Sequence, residues 1–161
     1  MKPKMRIFYL YVFTIGLGVF EWGWAEFGNT QTGPVLVEKF GWSVEEGRLY
    51  NTLISNSSIV GLLIGSLFAG KLISYGRHTA INYMNILVFI GTSLSLIRTV
   101  PTILIGRFIS GFAAGVLTTA MTKCIVETLP SDLAGTFGAA TAISINFAGV
   151  ICLVLGLTLP N

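Results

Sequence analysis

Hydrophobic and polar positions alternate along this chain on the scale of whole helices. Apolar runs cover residues 7–28, 50–73, 79–97, 102–126 and 133–159, and the charges are gathered between them. A bilayer core about 30 Å thick needs roughly 20 apolar helical residues, so each run predicts one membrane-spanning helix. Lys2, Lys4 and Arg6 precede the first run. They resemble the start of a signal peptide, but no small-residue cleavage site follows, so the run is read as an uncleaved span. Asn29 to Leu49 reads as the longest polar connection, outside the membrane, with one interfacial turn anchored by Trp42.

The turns carry their own signals. Gly76 in Ser74-Tyr-Gly-Arg-His78 suits the backbone conformation a tight turn often needs. Pro130 followed by Ser131 or Asp132 reads as a helix start, with the acid near the positive end of the helix dipole. In the second span Gly61, Gly65 and Ala69 recur every four residues and predict a face for close helix contact. Asn56-Ser-Ser58 matches a glycosylation acceptor, but its place inside an apolar run argues against modification.

Composition sharpens this picture. Of 161 residues, 53% are hydrophobic and 11% are charged. Soluble domains carry about 25% charged residues, so the chain reads as an all-α, multi-pass membrane protein. The formal net charge of +3 lies mostly at span ends and is a topology signal, not a nucleic-acid footprint. Lys2, Lys4, Arg6, Lys71, Arg77 and Lys123 fall on the side of the N-terminus, which places that terminus in the cytoplasm. The membrane itself stays open. Cys124 and Cys152 have no metal or redox spacing. No nucleophile with a base, metal cluster or phosphate-cradling loop is present, so no enzyme, metal site or cofactor is expected.

Arg107 is the charge that most needs a reason. It lies within the fourth run, and Arg107, Gly111 and Gly115 are four apart, forming one stripe on a helix. A charge at membrane depth costs about 3 kcal/mol by insertion scales, so it usually faces a polar cavity or a partner. The alternative is an arginine snorkelling to the interface.

Three motifs in order carry a family resemblance. Gly70-Lys-Leu-Ile-Ser-Tyr-Gly-Arg-His78 resembles the loop Gly-x-x-x-Asp-x-x-Gly-Arg-Arg between spans two and three of major-facilitator sugar transporters. Gly106-Arg-Phe-Ile-Ser-Gly-Phe-Ala-Ala-Gly115 resembles their fourth-span motif Gly-Arg-x-x-x-Gly-x-x-x-Gly, and Glu127-Thr-Leu-Pro130 with Gly135 their loop before span five. Departures are Ser74-Tyr75 where an aspartate is usual, His78 for a second arginine, and Ala134 for the loop arginine. Ala142 stands where the family has a sugar-bonding glutamine; Asn146, one turn on, is the candidate for the missing amide.

The resemblance implies five helices forming most of one six-helix half of a major-facilitator fold, with residues 1–161 an N-terminal fragment of a twelve-span carrier. It implies alternating access for a sugar or similar small polyol, a hexose-like substrate, and an absent C-terminal half. Arg107, Asn146 and Trp24 become candidates for substrate contact. Glu26, with Glu21 as alternative, becomes the proton-coupling candidate, since an acid here pairs with the fourth-span arginine in proton-coupled relatives. Arg77 and Glu127 become a conformational charge clamp. Plainer readings stay open: Trp24 as a belt aromatic, Glu26 solvated among headgroups, and Arg77 and Glu127 as exposed loop charges. So do two other roles. One is a degenerate transporter half serving as a structural subunit beside partner membrane proteins; the other is a short carrier that pairs with itself.

Overall fold

The computed structural model describes residues 20, 23–24, 26–28, 33–97, 99–128 and 131–158. All the regular structure among them is helical. Residues 20, 23–24 and 26–28 form an N-terminal helical segment, and α1 covers 33–40. Four long helices follow: α2 (Val44–Ser74), α3 (Arg77–Ser95), α4 (Val100–Thr128) and α5 (Ser131–Thr158). Two stretches among the described residues are long and apolar enough to cross a membrane. They are Val44–Ser74, with mean hydropathy 1.6, and Val100–Lys123, with 1.7. A shorter apolar helical stretch covers Ala142–Gly156.

The helix boundaries follow local chemistry. Tyr75 and Gly76 separate α2 from α3, and their N–H groups return to the Leu72 and Ile73 carbonyls. Gly76 has φ +132°, a region that side chains other than glycine rarely enter. Helix α5 starts at Ser131, within the predicted start signal.

The polar connection predicted over Asn29 to Leu49 needs correction. Residues 33–40 are helical, and Val44 already opens α2. Two caps placed back to back explain why. The Gly41 N–H bonds to the Glu38 carbonyl and the Trp42 N–H to the Val37 carbonyl, while Gly41 sits at φ +64°. That is the glycine-terminated ending that satisfies a helix's last carbonyls. One residue later the Ser43 hydroxyl accepts from the Glu46 N–H at 3.3 Å, and the Glu46 carboxylate accepts from the Ser43 N–H at 3.0 Å. This reciprocal capping box starts α2. Replacing Ser43 with alanine removes one half of it. The detergent-solubilised protein should then lose roughly 2–4 °C in Tm by circular dichroism.

The chain divides into two compact units, Leu36–Lys123 and the two terminal stretches Met1–Val35 with Cys124–Asn161. In the central unit, Ala69 and Ile73 of α2, Met84 of α3, and Ala113, Val116, Leu117 and Ala120 of α4 form one buried cluster. Residue pairs advance together along α2 and α4, so these helices run parallel; α3 runs against α4, with Gly91 beside Gly106 and Ser110. In the terminal unit, the N-terminal segment runs parallel to α5, with Gly23 on Ile145 and Ala148 and Phe27 on Gly149.

Candidate functional site

The Arg107 stripe is built on a helix crossing. A Cβ added at Gly111 would stand 2.2 Å from the Ser58 carbonyl oxygen, and one at Gly115 would stand 2.3 Å from that of Leu62. From the other side, a Cβ at Gly61 would meet the Phe108 oxygen at 2.3 Å and one at Gly65 the Phe112 oxygen at 2.0 Å. The two predicted small-residue faces therefore meet each other, backbone against backbone. Gly111 and Gly115 mark this contact between α2 and α4 rather than the wall of a water-filled path. Arg107 heads the stripe and is half-buried.

Two serines fasten α2 to α4, one at that arginine and one a turn before it. The Ser57 hydroxyl donates to the Leu104 carbonyl at 2.8 Å, and the buried Ser58 hydroxyl donates to the Arg107 carbonyl at 3.5 Å. The Ser110 hydroxyl donates to the same Arg107 carbonyl at 3.1 Å. Hydroxyls inside a bilayer bond across helices in this way because water is absent. Ser57 and Ser58 belong to the acceptor-like tripeptide Asn56-Ser-Ser58, whose hydroxyls serve α4 instead. Sequence reasoning passed over them as site-forming residues. The available signal was two small polar residues on or beside the Gly61, Gly65 and Ala69 face.

In the terminal unit, Trp24 is exposed and Glu26 is half-buried. Asn146 is exposed, and its Nδ2 donates to the Ala142 carbonyl at 2.8 Å. That leaves the second N–H and the Oδ1 of the amide for another partner. The contact line of this parallel pair passes through Gly23 and Phe27 on one helix and Ile145, Ala148 and Gly149 on the other. Turning about 100° per residue from that line puts Glu26 and Asn146 on one flank of the pair and Trp24 on the opposite flank. The amide and the acid thus share a side that the indole does not.

Other candidates are placed only in part. Glu21 lies outside the described residues. Arg77 opens α3 with its side chain outside the described part, while Glu127 is exposed near the end of α4. Cys152 is buried as a free thiol. Among the described residues no group of three His, Cys, Asp or Glu side chains could hold a metal ion.

Residues 9–161 match the family model described as "Sugar (and other) transporter". Hexose transporter 1 of Toxoplasma gondii is 27% identical over 156 residues, covering 90% of this chain and 28% of the relative. Hexose transporter 1 of Plasmodium knowlesi is 26% identical over 159 residues, covering 94% of this chain and 32% of the relative. The facilitated glucose transporter member 3 of solute carrier family 2 from Gallus gallus is 30% identical over 109 residues, covering 65% of this chain and 21% of the relative. The chain therefore spans less than a third of the length of these relatives.

Proposed function

The chain belongs to the Sugar (and other) transporter family, and from that premise we propose that it supplies the N-terminal part of a secondary carrier for a hexose-like sugar or small polyol. The carrier works by alternating access, with its substrate bound near the bilayer midplane between two halves. One observation carries this reading: the family match runs through 9–161, and relatives matched over nine-tenths of the chain are hexose transporters. The five apolar stretches are its membrane spans, with the N-terminus in the cytoplasm.

Arg107 and Asn146 contact the sugar in this proposal. A guanidinium offers donors, and a carboxamide offers a donor and an acceptor; each suits a sugar hydroxyl. Glu26, on the Asn146 flank, is the acid that takes up a proton in a coupled cycle; protonation removes its charge and shifts which conformation is preferred. Trp24, on the opposite flank, is left to the bilayer interface. Arg77, at the start of α3, and Glu127, near the end of α4, are the charges proposed to help hold one conformation.

The test is uptake of radiolabelled hexose into sealed vesicles carrying the intact protein that contains this chain. Saturable uptake, inhibited by unlabelled hexose, is the expected result. Uptake no faster than in empty vesicles would remove the sugar reading.

A further inference from the structure

The corner between α1 and α2 is rigid, and its chemistry points to a partner. Three residues separate the two helices, and Trp42 is the single one between the glycine cap at Gly41 and the capping residue Ser43. Val37 of α1 packs on Gly47 of α2, where an added Cβ would stand 2.6 Å from a Val37 methyl. Phe40 stacks on Trp42 at 4.8 Å between ring centroids and 9° between planes, and Trp42 lies 4.6 Å from Tyr50. Where α2 stands, α1 and the three rings must follow.

The charges of α2 say where it stands. Glu45, Glu46 and Arg48 close one end and Lys71 the other. The uncharged stretch 49–70 between them is about 33 Å of helix, close to the thickness of a hydrocarbon core. One face of it, with Ile54, Ser58, Gly61, Gly65 and Ala69, is buried. The opposite stripe, Leu49, Leu53, Val60, Leu63 and Leu67, is exposed. Trp42 stands just before the Ser43 cap of α2, and its ring lies 4.6 Å from that of Tyr50 at the border.

We infer that the α1–α2 corner docks into the headgroup layer of the bilayer, with the Phe40–Trp42–Tyr50 stack as its anchor. A ring that is apolar over its body and polar at its N–H or O–H is at home at that level. The exposed charges around it are Glu38, Lys39, Glu45, Glu46 and Arg48, nearly balanced in sign. The partner is therefore a zwitterionic phospholipid surface, and anionic lipid should add nothing. The inference rests on reading α2 as a membrane span.

Depth-resolved quenching tests it. Trp22→Phe with Trp24→Phe leaves Trp42 as the sole indole of the three in the chain. The intact protein is placed in phosphatidylcholine vesicles whose lipids carry bromine near the headgroup or near the bilayer centre. Quenching by the shallow bromines should be about twofold stronger than by the deep ones, and unchanged when anionic lipid is mixed in. A Trp42→Phe change in the otherwise natural sequence should remove the same shallow component, which guards against a double variant that fails to fold. Emission quenched by aqueous iodide and not by either lipid, or quenched most by the deep bromines, overturns the inference. Alkaline carbonate washing separates the two readings: protein stripped from the vesicles defeats the span itself, whereas retained protein with an unquenched Trp42 defeats only the anchor.

Discussion

Gly111→Ala should destabilise the protein by about 2–4 kcal/mol, even though alanine is the better helix former. The new Cβ would lie 2.2 Å from the Ser58 carbonyl oxygen and 2.9 Å from its carbonyl carbon. Both are backbone atoms and cannot turn aside, so α2 and α4 must separate. Separation loosens the buried cluster of Ala69, Ala113, Val116 and Leu117 and stretches the Ser57 and Ser58 bonds to α4. Gly70→Ala is the matched control, because nothing lies within 4 Å of its added Cβ. Thermal unfolding of the two variants in the same detergent decides it. Equal stability would mean that α2 and α4 are not in backbone contact.

Arg107→Ala should reduce hexose uptake efficiency by about 10- to 100-fold if uptake runs through the proposed site, the loss of one charge-assisted hydrogen-bond donor set there. Arg107→Lys should recover only part of it, since an ammonium keeps the charge but not the planar fork of donors. Stability should respond differently. Arg107 is half-buried and makes interactions within the fold, so the alanine variant should lose a few degrees of Tm at most while uptake falls much further. The two measurements together separate a substrate contact from a structural one. Natural uptake in the alanine variant would eliminate Arg107 as a substrate residue, and lost uptake with an equal loss of folded protein would make it part of the scaffold.

The helical class and much of the punctuation were legible in the residues. Apolar stretches at membrane length located α2 and α4, the turn at Gly76 was visible, and Ser131 stood within the predicted start of α5. The corner at residues 40–46 was misread because Glu45, Glu46 and Asn29 to Thr32 weigh an average toward loop. Its signature was local and present: Gly41 after an apolar turn, then Ser43-x-x-Glu46 before an apolar run. Polarity averaged over twenty residues hid a pattern written in seven.

The sites were less legible for a different reason. Helix α4 is apolar around much of its circumference, so no polar face announces which side meets which neighbour. The repeat of Arg107, Gly111 and Gly115 states that something comes close, without naming it. Likewise Trp24 and Asn146 read as substrate-contact candidates and Glu26 as the proton-coupling candidate, and only the contact line through Gly23 and Ile145 puts Glu26 and Asn146 on one flank and Trp24 on the other.

What the amino-acid order determined by itself is what depends on near neighbours: helix lengths, caps, turns and the family to which they belong. What the tertiary structure decided is who touches whom. Ser57 bonds Leu104 across 47 residues and Ser58 bonds Arg107 across 49. Such pairings depend on shape matching between distant surfaces, where a missing Cβ on each side lets two backbones meet, and no local pattern encodes the partner of a gap.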